Sequence, residues 1–319
     1  MATTEIGAER PTDDASLLVR GVSPVLEVPF TADGDVDHAG FDRVVSYVLS
    51  TGVTSVMFPG FASEFHKLSE DERRQLTEIL LGHTRDRDDV AAVIAVQDHA
   101  TQLAERRARA SVEAGADLIN LLPPHFLSPS RGSLAQHVRA VLTAIDPVPM
   151  VLQYAPSETG TSLDADLLRA ITVDHPNLRL VKVESSPPGP LIAELAAGTP
   201  ALAAVEGYAG VQLPDAVRRG AVGTQPGCSM TEVYVEIWRR LTGGEEEAGI
   251  DLHRRLLPYI SYWMLDTERI IAAEKLISVR RGLFASAYCR EPAHQLDSEE
   301  IRMVDRLLVE FADLLPHLG

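Results

Sequence analysis

The sequence predicts a parallel (β/α)8 barrel, the TIM-barrel fold, followed by a C-terminal helical extension. Eight short apolar segments alternate with amphipathic segments, a pattern typical of parallel α/β folds. A doubly wound open sheet is the alternative, but it usually carries a glycine-rich dinucleotide turn after its first strand, and none follows here. After Met230 the pattern is helical to the end of the chain. We therefore expect a closed barrel with added helices.

The strands are predicted from short apolar runs bounded by turn residues. The first run covers residues 22–30 and ends at the turn from Thr31 to Gly34. The other strands are predicted at residues 54–58, 90–96, 117–122, 149–154, 178–184, 201–206 and 221–225.

The helices are predicted from apolar residues at helical spacing, as in residues 38–50. Ser69 and Glu72 form a capping box at the start of the second helix. Asp98 is the expected N-cap of the third helix, at residues 99–114. The remaining helices are predicted at residues 134–145, 164–173, 191–197, 209–219, 231–241, 245–262, 268–281 and 298–315.

We expect three parts along the chain. Residues 1–18 are polar, lack the apolar core of a signal peptide, and are predicted to form a flexible tail. Residues 19–228 form the barrel, and residues 229–319 form helices packed on it. No linker or low-complexity segment separates a second domain.

Composition narrows the classes of partner and compartment. The net charge of −17 argues against nucleic acid and anionic membrane surfaces as partners. No apolar run is long enough for a membrane span. Cys228 and Cys289 are too few and too far apart for a disulfide framework, which fits a cytoplasmic protein. No cluster has metal-ligand spacing, so we expect chemistry without a metal or another cofactor.

Lys182 is the first candidate catalytic residue. It lies in the apolar run Leu178–Val183, which reads as the sixth strand, and a polar turn follows Glu184. A protein interior disfavours the ammonium form and so favours the neutral amine, which can attack a carbonyl to form a Schiff base. The alternative is an edge-strand lysine with its amine in water.

Three further residues are candidates for moving protons at the carboxyl ends of the strands, where barrel active sites lie. Glu184 follows Lys182 by two positions and should share its face of the strand, as ion-pair partner, general base or solvated carboxylate. Glu206 ends the seventh strand and would act as a buried acid or form a salt bridge with an arginine. His125 follows the fourth strand as a proton donor or a surface loop residue.

Other strand-end residues suggest how a substrate is held. Gln97, Gln153 and Gln225 end strands and carry amides suited to hydroxyl or carbonyl oxygens. Glu64 is expected to be structural, fixing its loop by accepting backbone amides. Several acids gather near one rim, which would suit an amine- or guanidine-bearing substrate: Glu27, Glu158, Glu184 and Glu206.

Ordered motifs across nearly the whole chain resemble the dihydrodipicolinate synthase / N-acetylneuraminate lyase family of Schiff-base aldolases and dehydratases. The residues that carry this resemblance are the opening Gly21–Pro24 and Val28–Gly34, the loop Gly60–Glu64 with Leu68–Arg73, Leu121–Pro124 with Pro129–Ser130, Val151–Pro156, Val181–Lys182 and Gly220–Gly223. The resemblance implies a TIM barrel, a Schiff base at Lys182, and often a homotetramer.

The chain departs from the family pattern at the hydroxyl groups of the proton relay. Gln153 stands where the family has its motif tyrosine, and an amide cannot act as acid or base. Tyr154 could serve only if strand alternation allowed it to point inward. Phe61 and Phe126 stand at the other two relay positions, and Ala62 replaces a hydroxyl that helps hold a carboxylate.

The resemblance and the departures together predict a lyase that acts on a 2-oxo acid or related carbonyl compound through Lys182. The alternatives are a keto-acid dehydratase or deaminase, which the Gly207–Gly210 and Gly223–Gly227 segments resemble, and a non-catalytic ligand-binding module. We expect a homo-oligomer, either a tetramer or a dimer. The candidate substrate contacts are Phe61, Ala62, Phe126, Gln153, Tyr154, Gly207 and Gln225.

Overall fold

The computed structural model describes residues 19–125, 127–160 and 162–318, and it confirms the predicted TIM barrel. Eight parallel strands follow one another in the order β1-β8-β7-β6-β5-β4-β3-β2. They are β1 (Gly21–Val22), β2 (Ser55–Phe58), β3 (Ala91–Val96), β4 (Leu118–Leu121), β5 (Met150–Tyr154), β6 (Leu178–Val183), β7 (Ala203–Glu206) and β8 (Gly223–Thr224).

The barrel closes through the chain just after β1. Val25 makes parallel bridges to Met57 on one side and to Gly227 on the other. The regular strand is shorter than the predicted residues 22–30, although the segment stays buried between β2 and β8. Pro24 and Pro29 interrupt it because proline has no N–H to donate to a strand ladder.

Side chains alternate between the barrel interior and the helical layer. Val93, Val151, Leu180 and Val205 belong to the small interior cluster. Their chain neighbours pack outward into the large core against the helices. Because the side-chain period of a strand is two, Leu180 fixes the inward face of β6 and Lys182 shares it.

The helices surround the barrel, and four of those described follow β8. Their bounds are α1 (His38–Ser50), α2 (Glu70–Thr84), α3 (Thr101–Ala114), α4 (Arg131–Ile145), α5 (Pro156–Thr159), α6 (Ala165–Asp174), α7 (Gly189–Ala197), α8 (Leu213–Arg218), α9 (Thr231–Thr242), α10 (Glu246–Trp263), α11 (Thr267–Arg280) and α12 (Ser298–Glu310). None of the helices in the described ranges is both long and apolar enough to cross a bilayer.

Two local predictions about helix starts had different outcomes. The capping box of α2 is confirmed, because the Glu72 amide donates to Ser69 Oγ at 3.3 Å and the Ser69 amide donates to Glu72 Oε2 at 2.8 Å. The predicted N-cap Asp98 is wrong, since the cap position is Ala100. Asp98 instead accepts two hydrogen bonds from Arg107, at 2.5 and 3.0 Å. The short helix α5 was not predicted.

A buried ion pair ties the helical extension to the barrel. Lys275 on α11 donates to Glu64 Oε1 and, at 3.0 Å, to the carbonyl of Tyr288. Its ammonium also lies 4.2 Å from the centre of the Phe30 ring. The predicted boundary between residues 228 and 229 stays a prediction, and the predicted tail at residues 1–18 lies outside the described residues.

Candidate active site

The sequence contains only three lysines, Lys67, Lys182 and Lys275. Two of them bind the same buried carboxylate: Lys67 Nζ lies 3.2 Å from Glu64, and Lys275 Nζ donates to its other oxygen. Lys182 is the one lysine that lines the cleft at the carboxyl end of the barrel. The only amine positioned to meet a substrate in this cleft is therefore that of Lys182.

The Lys182 amine is buried beside a carboxylate in the wall of that cleft. Only 4% of the residue is exposed, and its Nζ lies 3.2 Å from Glu184 Oε1. Both residues face inward, so the prediction that they share a face of the strand is confirmed. The predicted edge-strand alternative is wrong, because β6 pairs with β5 and β7 on its two sides.

A chain of buried amides holds the Glu184 carboxylate in place. Gln153 Nε2 donates to Glu184 Oε2 at 2.7 Å, and Asn120 Nδ2 donates to Gln153 Oε1 at 3.0 Å. Strand register produces this chain, because Gln153 pairs directly with Lys182 and Asn120 pairs with Val151. Gln153 is thus part of the support beneath Glu184 and does not line the cleft, which corrects its expected direct contact with a substrate.

Gly207 has no side chain, and the Glu184 side chain occupies the space where one would lie. A Cβ atom at this position would lie 2.3 Å from Glu184 Cγ and 2.6 Å from Glu184 Oε1. Its backbone φ of −101° lies outside the left-handed region that favours glycine, and the close contact with Glu184 accounts for a residue without a side chain. Gly207 therefore acts through Glu184, although we predicted a substrate contact there.

The cleft has about 700 Å³ of empty space, part of it open to solvent. It lies between the carboxyl ends of the strands and helix α11. Its lining comprises Val25, Phe61, Ala62, Glu158, Lys182, Glu184, Tyr208, Ala209, Gln225, Pro226, Gly227, Met264, Thr267, Ile270, Ile271 and Glu274. Phe61, Ala62 and Gln225 thus lie where a substrate contact was predicted.

Two buried acceptors in this lining have no hydrogen-bond partner among the described residues. They are Gln225 Oε1 and Glu274 Oε2. Burial raises the pKa of Glu274 to about 8, with the neighbouring Glu27 adding to the rise. The Glu274 carboxyl is therefore largely protonated at neutral pH and can donate as well as accept a hydrogen bond.

Glu158 and Tyr208 also line the cleft. Tyr208 Oη lies 3.2 and 3.3 Å from the two carboxyl oxygens of Glu158. Burial, together with the charge of Glu184, raises the pKa of Glu158. Burial also raises the pKa of Tyr208, to about 12, so its phenol keeps its proton.

Glu64 forms the scaffold of the loop that carries Phe61 and Ala62. It accepts the backbone amide of Arg290 at 3.1 Å in addition to its two lysine contacts. Ser63 closes the same loop by accepting the Gly60 amide at 2.9 Å and donating to the Leu26 carbonyl. The expected structural role of Glu64 fits these contacts.

Glu206 lies behind the cleft wall. Val205 faces the barrel interior, so Glu206 faces outward. Its Oε1 accepts the Gln212 amide at 3.0 Å, and its Oε2 lies 3.2 Å from Thr224 Oγ1. Burial raises its pKa to about 8, as expected, but no arginine pairs with it in the described chain and it does not line the Lys182 cleft.

His125 and Tyr154 also lie away from the cleft lining. The centre of the His125 ring lies 4.3 Å from that of His99 and 6.1 Å from that of Phe65. Burial lowers the pKa of His125. Tyr154 faces the outer helical core, because β5 alternates and Gln153 takes the inward direction. A direct role in proton transfer or substrate contact does not fit these two positions. Phe126, the remaining candidate, lies outside the described residues.

Comparison with known proteins identifies the family. The sequence model of the dihydrodipicolinate synthetase family matches residues 18–310. The chain belongs to this family.

Curated proteins of modest sequence identity to this chain are named as enzymes of this family. The 4-hydroxy-tetrahydrodipicolinate synthase of Methanothrix thermoacetophila is 29% identical over 301 residues, covering 93% of this chain and 98% of the relative. The enzyme of the same name from Salinibacter ruber is 29% identical over 169 residues, so the match covers 53% of this chain and 55% of that relative.

Solved structures of family members share the fold. Dihydrodipicolinate synthase from Rhodopseudomonas palustris superposes with a TM-score of 0.84 at 23% identity, covering 93% of this chain and 99% of that one. A prophage protein of the family from E. coli K12, solved in complex with pyruvate, has a TM-score of 0.82 at 23% identity, with coverage of 92% and 98%.

Sequence reasoning did not single out three of the groups at this site: Asn120, Tyr208 and Glu274. Asn120 gave a detectable signal, since it is the one polar residue in the apolar run of β4. Glu274 gave none, because it sits among charged and apolar residues of an ordinary helix pattern in α11. Glu27 was expected at the rim, but it is buried between Ser278 and Cys228 and does not line the cleft. Gln97 likewise donates to the Pro59 carbonyl at 2.6 Å, outside it.

Proposed function

We propose that this chain is a lysine-dependent lyase in which Lys182 forms a Schiff base with a carbonyl substrate, most simply a 2-oxo acid. One observation carries the proposal: the only lysine on the cleft is buried 3.2 Å from a carboxylate that is itself fixed by a buried amide. Family membership supports the same chemistry, and a family member of known structure was solved with pyruvate.

The Lys182–Glu184 pair can supply the nucleophile. Glu184 accepts a proton from the ammonium, and the neutral amine attacks the carbonyl carbon. Loss of water yields an imine whose protonated form withdraws electrons from the neighbouring carbons. A carbon–carbon bond next to the imine can then be broken or formed.

The shortage of basic groups in the cleft limits what else the substrate carries. Three carboxyl groups line the cleft, those of Glu158, Glu184 and Glu274, but Lys182 is the only basic side chain among the described lining residues. A second carboxylate on the substrate would therefore find no arginine or further lysine there to pair with. We therefore propose a carbonyl substrate whose far end is neutral or cationic, with Glu274 and Gln225 as hydrogen-bond partners.

Borohydride trapping with pyruvate tests the central step. The intact protein should gain one reduced pyruvyl group, and peptide mass spectrometry should locate it on Lys182. Lys182→Met should abolish the adduct. Lys67→Arg is the matched control, because it removes another of the three amines at a residue that does not line the cleft, and it keeps a positive charge beside Glu64. A wild-type protein that gives no adduct with any of a panel of carbonyl compounds would support the binding module instead.

A competition experiment tests the substrate class. Second carbonyl substrates of similar size, bearing a cationic, neutral or carboxylate far end, are offered together with pyruvate, and carbon–carbon bond formation is followed by mass spectrometry. We expect turnover with the cationic or neutral compounds. Preference for the carboxylate compound would contradict the charge argument.

We also propose a homo-oligomer, dimer or tetramer, in the cytoplasm. The family resemblance and the acidic, cysteine-poor composition support this. Sedimentation velocity measures the assembly directly, and a monomer across the micromolar range would contradict it.

A further inference from the structure

We propose that Tyr208 and Glu158 form an acid–base pair that serves the imine of Lys182, in place of the relay hydroxyls that Gln153 and Phe61 lack. This inference rests on the proposed function. It assigns proton transfer to groups on the loops after β7 and β5, away from the strand position where the family resemblance implies a tyrosine.

The geometry brings the two groups together on the substrate side of the cleft. Tyr208 Oη lies 3.2 Å from Glu158 Oε1 and 3.3 Å from Oε2, so its hydroxyl can donate to either oxygen. Both side chains line the cleft that Lys182 lines. Tyr208 is the one phenol among the described lining residues.

The backbone around Tyr208 takes an unusual conformation to place it there. Tyr208 and Ala209 both have positive φ, 45° and 52°, and Gly210 follows at 68°. Positive φ is costly for residues with a Cβ and persists only where surrounding contacts impose it. Tyr234 Oη donates to the Ala209 carbonyl at 2.8 Å, and His253 Nε2 lies 2.8 Å from the Gly210 carbonyl.

The pKa shifts of the two groups suit a proton donor, Tyr208, and a carboxyl group that reprotonates it, Glu158. Burial and the nearby Glu184 charge raise the pKa of Glu158, which favours its carboxylic acid form. Burial keeps the Tyr208 phenol protonated. The assignment takes both groups in their protonated forms, as a proton donor requires.

The steps balance as follows. The Lys182 amine adds to the carbonyl carbon, giving a carbinolamine. Its C–O bond breaks, the oxygen takes the Tyr208 proton and leaves as water, and the nitrogen lone pair forms the C=N bond of the iminium ion. Tyr208 recovers a proton from Glu158. The Glu158 carboxylate then removes a proton from the neighbouring carbon, and that C–H electron pair forms the enamine, which restores both groups.

Exchange of the pyruvate methyl protons with deuterated water, followed by NMR, reports on the whole sequence from imine formation to removal of the carbon-bound proton. We expect Tyr208→Phe and Glu158→Gln each to slow exchange by about 10²-fold, while borohydride still traps pyruvate on Lys182 after long incubation. Tyr262→Phe is the matched control, because Tyr262 Oη lies 3.3 Å from Glu300, outside the cleft.

The outcomes separate this inference from the proposed function. Exchange at the wild-type rate in both cleft variants would overturn the assignment while leaving the Schiff base intact. A wild-type protein that forms no adduct would overturn both. If Tyr208→Phe fails to fold, Glu158→Gln decides alone, since its amide keeps the shape of the carboxyl and removes only the transferable proton.

Discussion

Replacing Gly207 with alanine tests whether close packing against Glu184 sets the position of the Lys182 amine. The added methyl would lie 2.3 Å from Glu184 Cγ, against an ordinary contact of 3.4 Å or more. Relief of this contact requires Glu184 or the backbone at residue 207 to move by about 1 Å. The carboxylate cannot swing into solvent freely, because Gln153 and Lys182 both hold it.

The size of the effect follows from these contacts. Forcing a methyl group into a packed interior costs about 1–3 kcal/mol of folding free energy. A catalytic group displaced by about 1 Å can lose roughly 10² in rate. We expect Gly207→Ala to lower the free energy of unfolding by about 2 kcal/mol and the rate of pyruvate trapping by roughly 10²-fold.

Urea unfolding and the rate of borohydride-trapped adduct formation measure the two quantities. Gly132→Ala is the control, because a methyl group there meets nothing within 4 Å and the residue lies in helix α4. Alanine at that helical position should be neutral or stabilising by up to about 1 kcal/mol, with no change in trapping.

Introducing Gly207→Ala into a protein that lacks the Glu184 side chain tests whether the contact with Glu184 causes the loss of stability. In the Lys182→Met, Glu184→Ala double variant both charges and the clashing carboxyl are gone. Gly207→Ala should then cost less than about 0.5 kcal/mol, because the methyl would enter vacated space. An equal cost in both backgrounds would refute the packing argument.

Two predictions about stability follow from buried charged groups. The pKa of Glu206 rises from 4.5 to about 8 on folding, so the folded state keeps a proton that the unfolded state loses. Stability should therefore fall between pH 4.5 and 8, by up to about 1.4 kcal/mol per pH unit from this group. Glu206→Gln should flatten the urea-unfolding profile over that range, and a slope equal to the wild type's would contradict the assignment. Lys275→Met should cost about 3 kcal/mol in urea unfolding, the low end for a broken buried pair, because Lys67 still lies 3.2 Å from Glu64. Arg302→Gln, which breaks an exposed pair with Glu299, should cost far less, and equal costs would contradict the argument from burial.

Burial is the main cause of the raised pKa of Glu206, and it outweighs the hydrogen bonds from the Gln212 amide and Thr224, which lower that pKa. Thr224 Oγ1 lies 3.1 Å from the Glu206 carbonyl oxygen and 3.2 Å from Oε2. The raised pKa fits the prediction of a buried acid, whereas the Glu206 side chain points away from the barrel interior and does not line the Lys182 cleft.

The error over Glu206 shows where periodicity stops being informative. In β7, Ala203 and Val205 lie on one face, and Ala204 and Glu206 lie on the other. Both faces carry small apolar residues, so the sequence does not show which face points inward. In β6 the sequence does show it, because Lys182 and Glu184 lie two residues apart in an otherwise apolar run. Gln153 and Tyr154 were ambiguous in the same way until the structure placed Gln153 inward.

The sequence by itself determined the barrel, the position of Lys182 at a strand end and its place on the same face as Glu184. These depend on periods of two and 3.6 residues, which neighbouring positions along the chain display. Only the tertiary structure decided that Glu274 enters the cleft from α11, that Tyr208 meets Glu158, and that Lys67 and Lys275 share one carboxylate. Those contacts join segments far apart in the chain, and they arise from how helices and loops pack over the barrel, which no local pattern encodes.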